Sequence, residues 1–250
     1  IVFTDKSLEP TNVTKVDVGS KTDNNEWVDC IKVGDVLYWA FIQENTGYDQ
    51  VYWASSDLDG GTFVSEIITT DNKDSDKVAL TYYDGYLYLA YDRYSAGYRY
   101  LHLMKINVTT NDQTEIDTEE FLWEDLLGVK VDELKGIIHV AWMEEEDATA
   151  DEDAYLRTGY IEDDTWNYGG NHETITEPEH DCMDMKVQTD NDGTDRVHLV
   201  WQYRAAASDR RIKMATLLTD HTGWTSSVPT QDTKSRYFVR QVMNQRTIYF

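Results

Sequence analysis

Residues 78–91 read VALTYYDGYLYLAY, two apolar and aromatic runs on either side of Asp84-Gly85. An Asp-Gly pair in that setting predicts a tight β-hairpin, because two residues at positive φ give a turn whose twist matches the strands it joins. The second run, 87–91 (LYLAY), serves as a ruler for the rest of the chain. Its copies are 37–41 (LYWAF), 138–142 (IHVAW) and 197–201 (VHLVW), with a truncated one at 248–250 (IYF). The second residue of each copy, Tyr or His, falls at 38, 88, 139, 198 and 249, in steps of 50, 51, 59 and 51 residues. An all-β repeat near 50 residues predicts a propeller of four-stranded blades rather than a helical solenoid.

A short strand is expected before each ruler, at 31–33, 81–83, 129–131, 185–187 and 241–243, with Lys32, Lys130 and Lys186 in equivalent places. Third strands are expected at 51–55, 100–106, 155–160 and 212–217, then fourth strands marked by Phe63, Trp166 and Trp224. The last repeat supplies two strands, and residues 1–4 and 13–18 supply the matching third and fourth. The expected fold is all-β: one domain over 1–250, a five-bladed β-propeller of four-stranded antiparallel blades. A composite blade from both termini closes the ring and protects its edges. The blades are 26–75, 76–123, 124–179, 180–235, and 236–250 plus 1–25.

Composition narrows the partners. The chain carries 47 Asp+Glu against 22 Lys+Arg, a net charge of −25. Such a surface repels phosphate backbones, so nucleic acid and anionic membrane are poor partners. No run reaches the roughly 18 apolar residues of a membrane helix. A start at Ile1, without Met or signal sequence, is expected of a chain whose signal was removed or that was cut from something longer. Sequons at Asn12 and Asn107 are usable outside the cell, and the expected location is extracellular or cell-surface. Cys30 and Cys182 are too few for a disulfide framework and are expected as buried thiols.

Residues 52–63, YWASSDLDGGTF, carry Ser55, Asp57, Gly60, Thr62 and Phe63 in an order that resembles the Asp-box of sialidase-type propellers, with one extra residue. More decayed copies stand at 162–166 and 220–224. The resemblance implies a structural turn and the architecture, and no catalysis at the box. The arginine cluster that holds the substrate carboxylate in sialidases has no recognisable counterpart. Five-bladed propellers also include tachylectin-like lectins and arabinan-degrading glycosidases, and the blade count is similar to theirs. That likeness points toward carbohydrate by analogy of fold.

Six residues before the aligned Lys32, Tyr82, Lys130, Lys186 and Val242 stand Glu26, Asp76, Glu124, His180 and Arg236. All five are ionisable, and ring symmetry brings them to one mouth. With Trp123, whose ring could stack on a sugar, they form the expected ligand site. The three carboxylates Glu26, Asp76 and Glu124 could support glycoside hydrolysis, one protonating the leaving oxygen while another activates water or attacks. An acidic rim without catalysis explains the same residues. Asp190, Asp192 and Asp195 surround Gly193 and are the candidate metal ligands, for Ca²⁺; a plain hairpin turn needs the same residue types. The acidic loop 144–153 is a further place for a cation. Trp39, Trp53, Tyr94, Tyr98, Trp123 and Tyr203 are the aromatics available to a sugar, most of them at repeat positions that suit a core. No P-loop, nucleophile elbow, HExxH or dinucleotide fingerprint is present.

The expected function is a non-catalytic binding or assembly module whose partner is carbohydrate or a surface protein. It requires no cofactor, with Ca²⁺ the cation its acidic turns would take. Two other readings stay open: a glycoside hydrolase using the mouth carboxylates, and a structural surface domain stabilised by cations.

Overall fold

The computed structural model describes residues 28–58, 63–95, 98–120, 126–145, 153–176, 178–206, 209–227, 242–244 and 247–249. Four antiparallel sheets of four strands follow one another along the chain. The first holds β1 (Val28–Val33), β2 (Val36–Asn45), β3 (Tyr48–Asp57) and β4 (Phe63–Ile67). The second holds β5 (Val78–Tyr83), β6 (Tyr86–Ser95), β7 (Tyr98–Asn107) and β8 (Gln113–Glu120). The third comprises β9 (Leu126–Leu134), β10 (Ile137–Glu145), β11 (Asp153–Glu162) and β12 (Thr165–Thr176). The fourth comprises β13 (Pro178–Thr189), β14 (Asp195–Ala206), β15 (Asp209–Leu218) and β16 (Thr225–Ser227). A two-stranded sheet, β17 (Val242–Asn244) and β18 (Thr247–Tyr249), follows.

The hairpin that set the ruler is β5–β6. Asp84 and Gly85 have φ of 47° and 82°, both left-handed, as a two-residue type I′ turn demands. The first strands β1, β5, β9 and β13 contact one another in order, so each sheet presents its first strand inward and stacks face to face on the next. Side chains alternate across these strands, and each face finds its own partner. Leu80, Leu87, Leu89 and Tyr91 join Ala40, Val51 and Trp53 between the first two sheets. Ala90, Leu101 and Leu103 join Val129, Ile138 and Trp142 between the second and third. Met143, Leu156, Met185, Leu199 and Trp201 fill the space between the third and fourth. No sheet could bury both faces alone.

Neighbouring first strands are also tied by carboxylates. Asp29 on β1 accepts the Leu80 N–H of β5 at 3.1 Å, and Asp132 on β9 accepts the Val187 N–H of β13 at 2.7 Å. Open strand edges are thereby satisfied without strand addition.

Two details depart from the sequence expectation. Lys32 stands opposite Leu37, Lys130 opposite Ala141 and Lys186 opposite His198, so the three lysines are not equivalent. The cause is hairpin length: β9 continues to Leu134 before it turns, and the β13–β14 turn is wider than its counterparts. Cys30, expected to be buried, is exposed. Alternation along β1 turns Ile31 toward the second sheet and Cys30 away from it.

Candidate active site

In these antiparallel sheets the starts of β5, β9 and β13 lie at the same end as the β2–β3, β6–β7, β10–β11 and β14–β15 connections. At this end the segment 68–77, which links the first two sheets, is fastened on both sides. Toward the first sheet, Val51 donates to Thr69 Oγ1 at 2.9 Å, Asp49 N donates to Asp74 Oδ1 at 2.9 Å, and Ser75 N donates to Asp49 O at 2.9 Å. Toward the second, Tyr94 N donates to Asp74 O at 2.8 Å and Asp92 N to Lys77 O at 3.2 Å. A linker with its backbone groups paired on both flanks presents its side chains rigidly.

Asp76 is the member of the predicted mouth whose side chain is described. Its N–H and that of Lys77 donate to Asp92 Oδ1, at 2.8 and 2.7 Å. Arg99 spans two carboxylates, with Nη1 on Asp92 Oδ2 and Nη2 on Asp76 Oδ2. The Asp92 side chain is fully buried, whereas that of Asp76 is 38% exposed. Burial pushes the Asp92 carboxyl up to about 6, against the opposing pull of Arg99. Behind this group, Arg93 is paired with Asp71 and also donates to Ser75 Oγ at 3.3 Å and Gln50 Oε1 at 3.4 Å. Burial lowers its guanidinium to about 10. The register explains the division of labour: Asp92 and Arg99 lie on the face toward the third sheet, and Arg93 lies on the face toward the first.

Of the other predicted residues, His180 lies on β13 near the same end as Asp76. Glu26, Trp123, Glu124 and Arg236 lie outside the described residues. Asp76 stands two residues before Val78, the partner of Tyr91. Counted two residues back from Val129 and Met183, the partners of Trp142 and Trp201, the matching positions are 127 and 181, so Glu124 and His180 stand three and one residues upstream of them. Asp92, Arg93 and Arg99 were not anticipated. A signal existed: where β2 and β10 continue the ruler with Ile42 and Met143, β6 continues with Asp92.

The metal candidates sit at the opposite end, in the β13–β14 turn. Arg196 pairs with Asp190 at 2.7 Å and with Asp192 at 2.8 Å. His198 Nε2 lies 3.0 Å from Asp190, and Asp195 takes Lys135 at 2.6 Å and Thr189 Oγ1 at 2.5 Å. These cations and hydrogen bonds hold Asp190, Asp192 and Asp195 below the ordinary carboxylate range. The turn is organised around Arg196. Among the described residues, no His, Cys, Asp or Glu group is arranged to hold a metal ion.

A second buried polar group crosses from the third sheet to the fourth near that same end. His139 Nδ1 lies 3.0 Å from His221 Nε2, and His221 Nδ1 lies 2.6 Å from Thr158 Oγ1. Thr158 Oγ1 in turn lies 2.5 Å from His172 Nε2. Burial lowers His139 to about 4, while burial with His139 and His172 as neighbours lowers His221 to about 3. The ruler recorded His139 as a repeat position and gave no hint of its partners.

No protein-family model matches the chain, and no curated protein sequence matches it. Solved structures do. A sialidase of Trypanosoma rangeli, in complex with the inhibitor DANA, superposes with a TM-score of 0.53 at 11% identity. That match covers 80% of this chain and 37% of the sialidase. A polysaccharide lyase of family PL25, an ulvan lyase, gives 0.51 at 11% identity over 80% of this chain and 54% of its own. An endo-arabinase of Bacteroides thetaiotaomicron gives 0.48 at 13% identity, over 82% and 81%. The expectation of a non-catalytic module is corrected here: the sialidase and the polysaccharide lyase, which share the fold at TM-scores of 0.53 and 0.51, bear the names of carbohydrate-active enzymes. The chain has the sialidase-like β-propeller architecture that its Asp-box and repeats resemble.

Proposed function

We propose that this chain is a glycoside hydrolase whose chemistry lies at the mouth formed by the starts of its innermost strands, with Asp76 as an acting carboxylate. The observation that carries the reading is the Asp76–Arg99–Asp92 group: an open carboxylate aimed by a guanidinium that a buried carboxylate fixes in turn. Preorganised charge of this kind is what a glycosidase needs around a developing oxocarbenium ion. The carbohydrate enzymes with the same architecture support it.

Hydrolysis consumes one water. A carboxylic acid protonates the glycosidic oxygen as its bond to C1 breaks, and a second carboxylate receives the proton of the attacking water or bonds to C1 first. Arg99 can only donate, so Asp76 Oδ2 is an acceptor in this arrangement. That suits Asp76 to the second role and leaves the acid to Glu124 or Glu26. Asp92, fully buried, cannot meet substrate and serves to position Arg99. We infer further that β17–β18 begins a fifth blade completed by residues 1–25, as the fifth ruler copy requires, and that the enzyme works outside the cell.

The test is reducing-sugar release by the purified chain on a broad set of polysaccharides and aryl glycosides. Asp76→Asn and Glu124→Gln should each lower the rate ~100-fold or more while the protein stays folded. Full activity in Asp76→Asn would sink the reading.

A further inference from the structure

We propose that Tyr94 is the sugar-stacking platform of this mouth and that the sugar it takes is uncharged. The inference rests on the hydrolase reading of Asp76. Tyr94 stands near the end of β6, paired with Arg99 across the hairpin, so the two side chains share one face. The Arg99 guanidinium carbon lies 5.8 Å from the centre of the Tyr94 ring, and the same guanidinium holds Asp76. Tyr94 is nevertheless 43% exposed, and its backbone N–H is tied to Asp74 at 2.8 Å. An aromatic ring that is open to solvent, with its backbone fixed beside an acting carboxylate, suits the C–H face of a pyranose. The hydroxyls at the sugar's edge would then point toward Asp76.

The other described aromatics available to a sugar do not share this position; Trp123 lies outside the described residues. Trp53 is buried in the core, Trp39 donates its indole N–H to Ser56 Oγ at 3.0 Å, and Tyr203 packs against the core between the third and fourth sheets. Tyr98 is as exposed as Tyr94, at 43%, but pairs with Ser95 and so faces the other side of the hairpin, away from Arg99 and Asp76.

Charge decides the sugar class. Arg93 and Arg99 at the mouth, and Arg157 and Arg196 elsewhere, are each held by carboxylates. Lys73, Lys105, Lys135, Lys186 and Lys213 are likewise paired. Among the described side chains of this mouth, a uronate or sulfated sugar would have to displace Asp76 or Asp71 to reach Arg99 or Arg93, on a chain of net charge −25. An uncharged sugar meets neither cost.

The test measures binding by calorimetry to the full chain carrying Glu26→Gln and Glu124→Gln, which removes the proposed acid, leaves bound sugar intact and keeps Asp76 on Arg99. Two probe sets matched in length are used: uncharged xylo-, manno-, cello- and arabino-oligosaccharides, and carboxylated or sulfated ones. A member of the uncharged set should bind. Adding Tyr94→Ala should weaken it ~10-fold, Tyr94→Trp should restore it, and Tyr98→Ala should leave it unchanged. Preference for the acidic set, or binding indifferent to Tyr94→Ala, would overturn the inference and leave the role of Asp76 standing. No binding to either set would overturn both.

Discussion

Two buried polar groups sit near opposite ends of the fold and meet desolvation in opposite ways. At the mouth, Asp92 and Arg99 carry charge into the interior and offset its cost by pairing and by two backbone N–H donors. Toward the far end, His139 and His221 meet the same cost by shedding charge, so burial pulls both well below the ordinary histidine range. The charged group keeps one carboxylate, Asp76, open to solvent, whereas the neutral group is closed, with His139 and His221 both buried. Charge is kept where one carboxylate stays open to solvent, and removed where two sheets are joined.

The sharpest way to break this contrast is to delete one partner from each group. Arg99→Met strands Asp92 in the interior and should cost about 3–5 kcal/mol in urea denaturation at pH 7. His139→Leu leaves only a neutral His221 nitrogen unpaired and should cost about 1–3 kcal/mol. A larger loss for His139→Leu would reverse the assignment of charged and neutral groups.

Acidity should separate the two groups next. Asp92 titrates at about 6 in the fold against an ordinary 3.8, so between those values the folded protein holds a proton that the unfolded chain has released. Its contribution therefore falls as pH rises from 3.8 to 6, by about 3 kcal/mol across the window. His139 and His221 titrate at about 4 and about 3 against 6.5, so the unfolded chain takes up protons first. Their contribution is complete above pH 6.5 and is lost as pH falls toward 4. Stability measured at pH 4.5, 5.5 and 6.5 should show a steeper acid loss in Asp92→Asn and a flatter one in His221→Gln. Parallel curves for both variants and the parent protein would count against the assigned shifts.

The smallest expected effect probes the packing of the neutral group. A Cβ on Gly169 would lie 2.5 Å from His221 Nδ1, so Gly169→Ala has to push that ring off Thr158. About 1–3 kcal/mol should be lost, with the histidine-dependent acid slope changed and the Asp92 slope retained. An alanine variant as stable as the parent would mean that the ring has room to move.

Much of the architecture was legible because a strand pair reports itself locally. Asp84-Gly85 names its turn, and the apolar-aromatic runs around it recur at a spacing that only stacked sheets satisfy. Site legibility was lower. Asp76 was reached by counting, yet Lys130 and Lys186 counted wrongly, because a longer hairpin and a wider turn shift register without altering the look of the strands. The sequence offered Asp92 as an interruption of an apolar pattern, but could not tell an exposed acid from a buried one. His139, His172 and His221 are far apart in the chain, and nothing local links them.

What the sequence by itself determined is the all-β repeat, its turns, and the acid excess that disfavours anionic partners, since these follow from neighbouring residues and from summed charge. Tertiary structure alone decided which carboxylates meet a guanidinium, which histidines lose their charge, and which of two equally exposed tyrosines lies against Arg99. Those outcomes depend on register and on the face of the neighbouring sheet, and a one-residue slip sends a side chain to the opposite side.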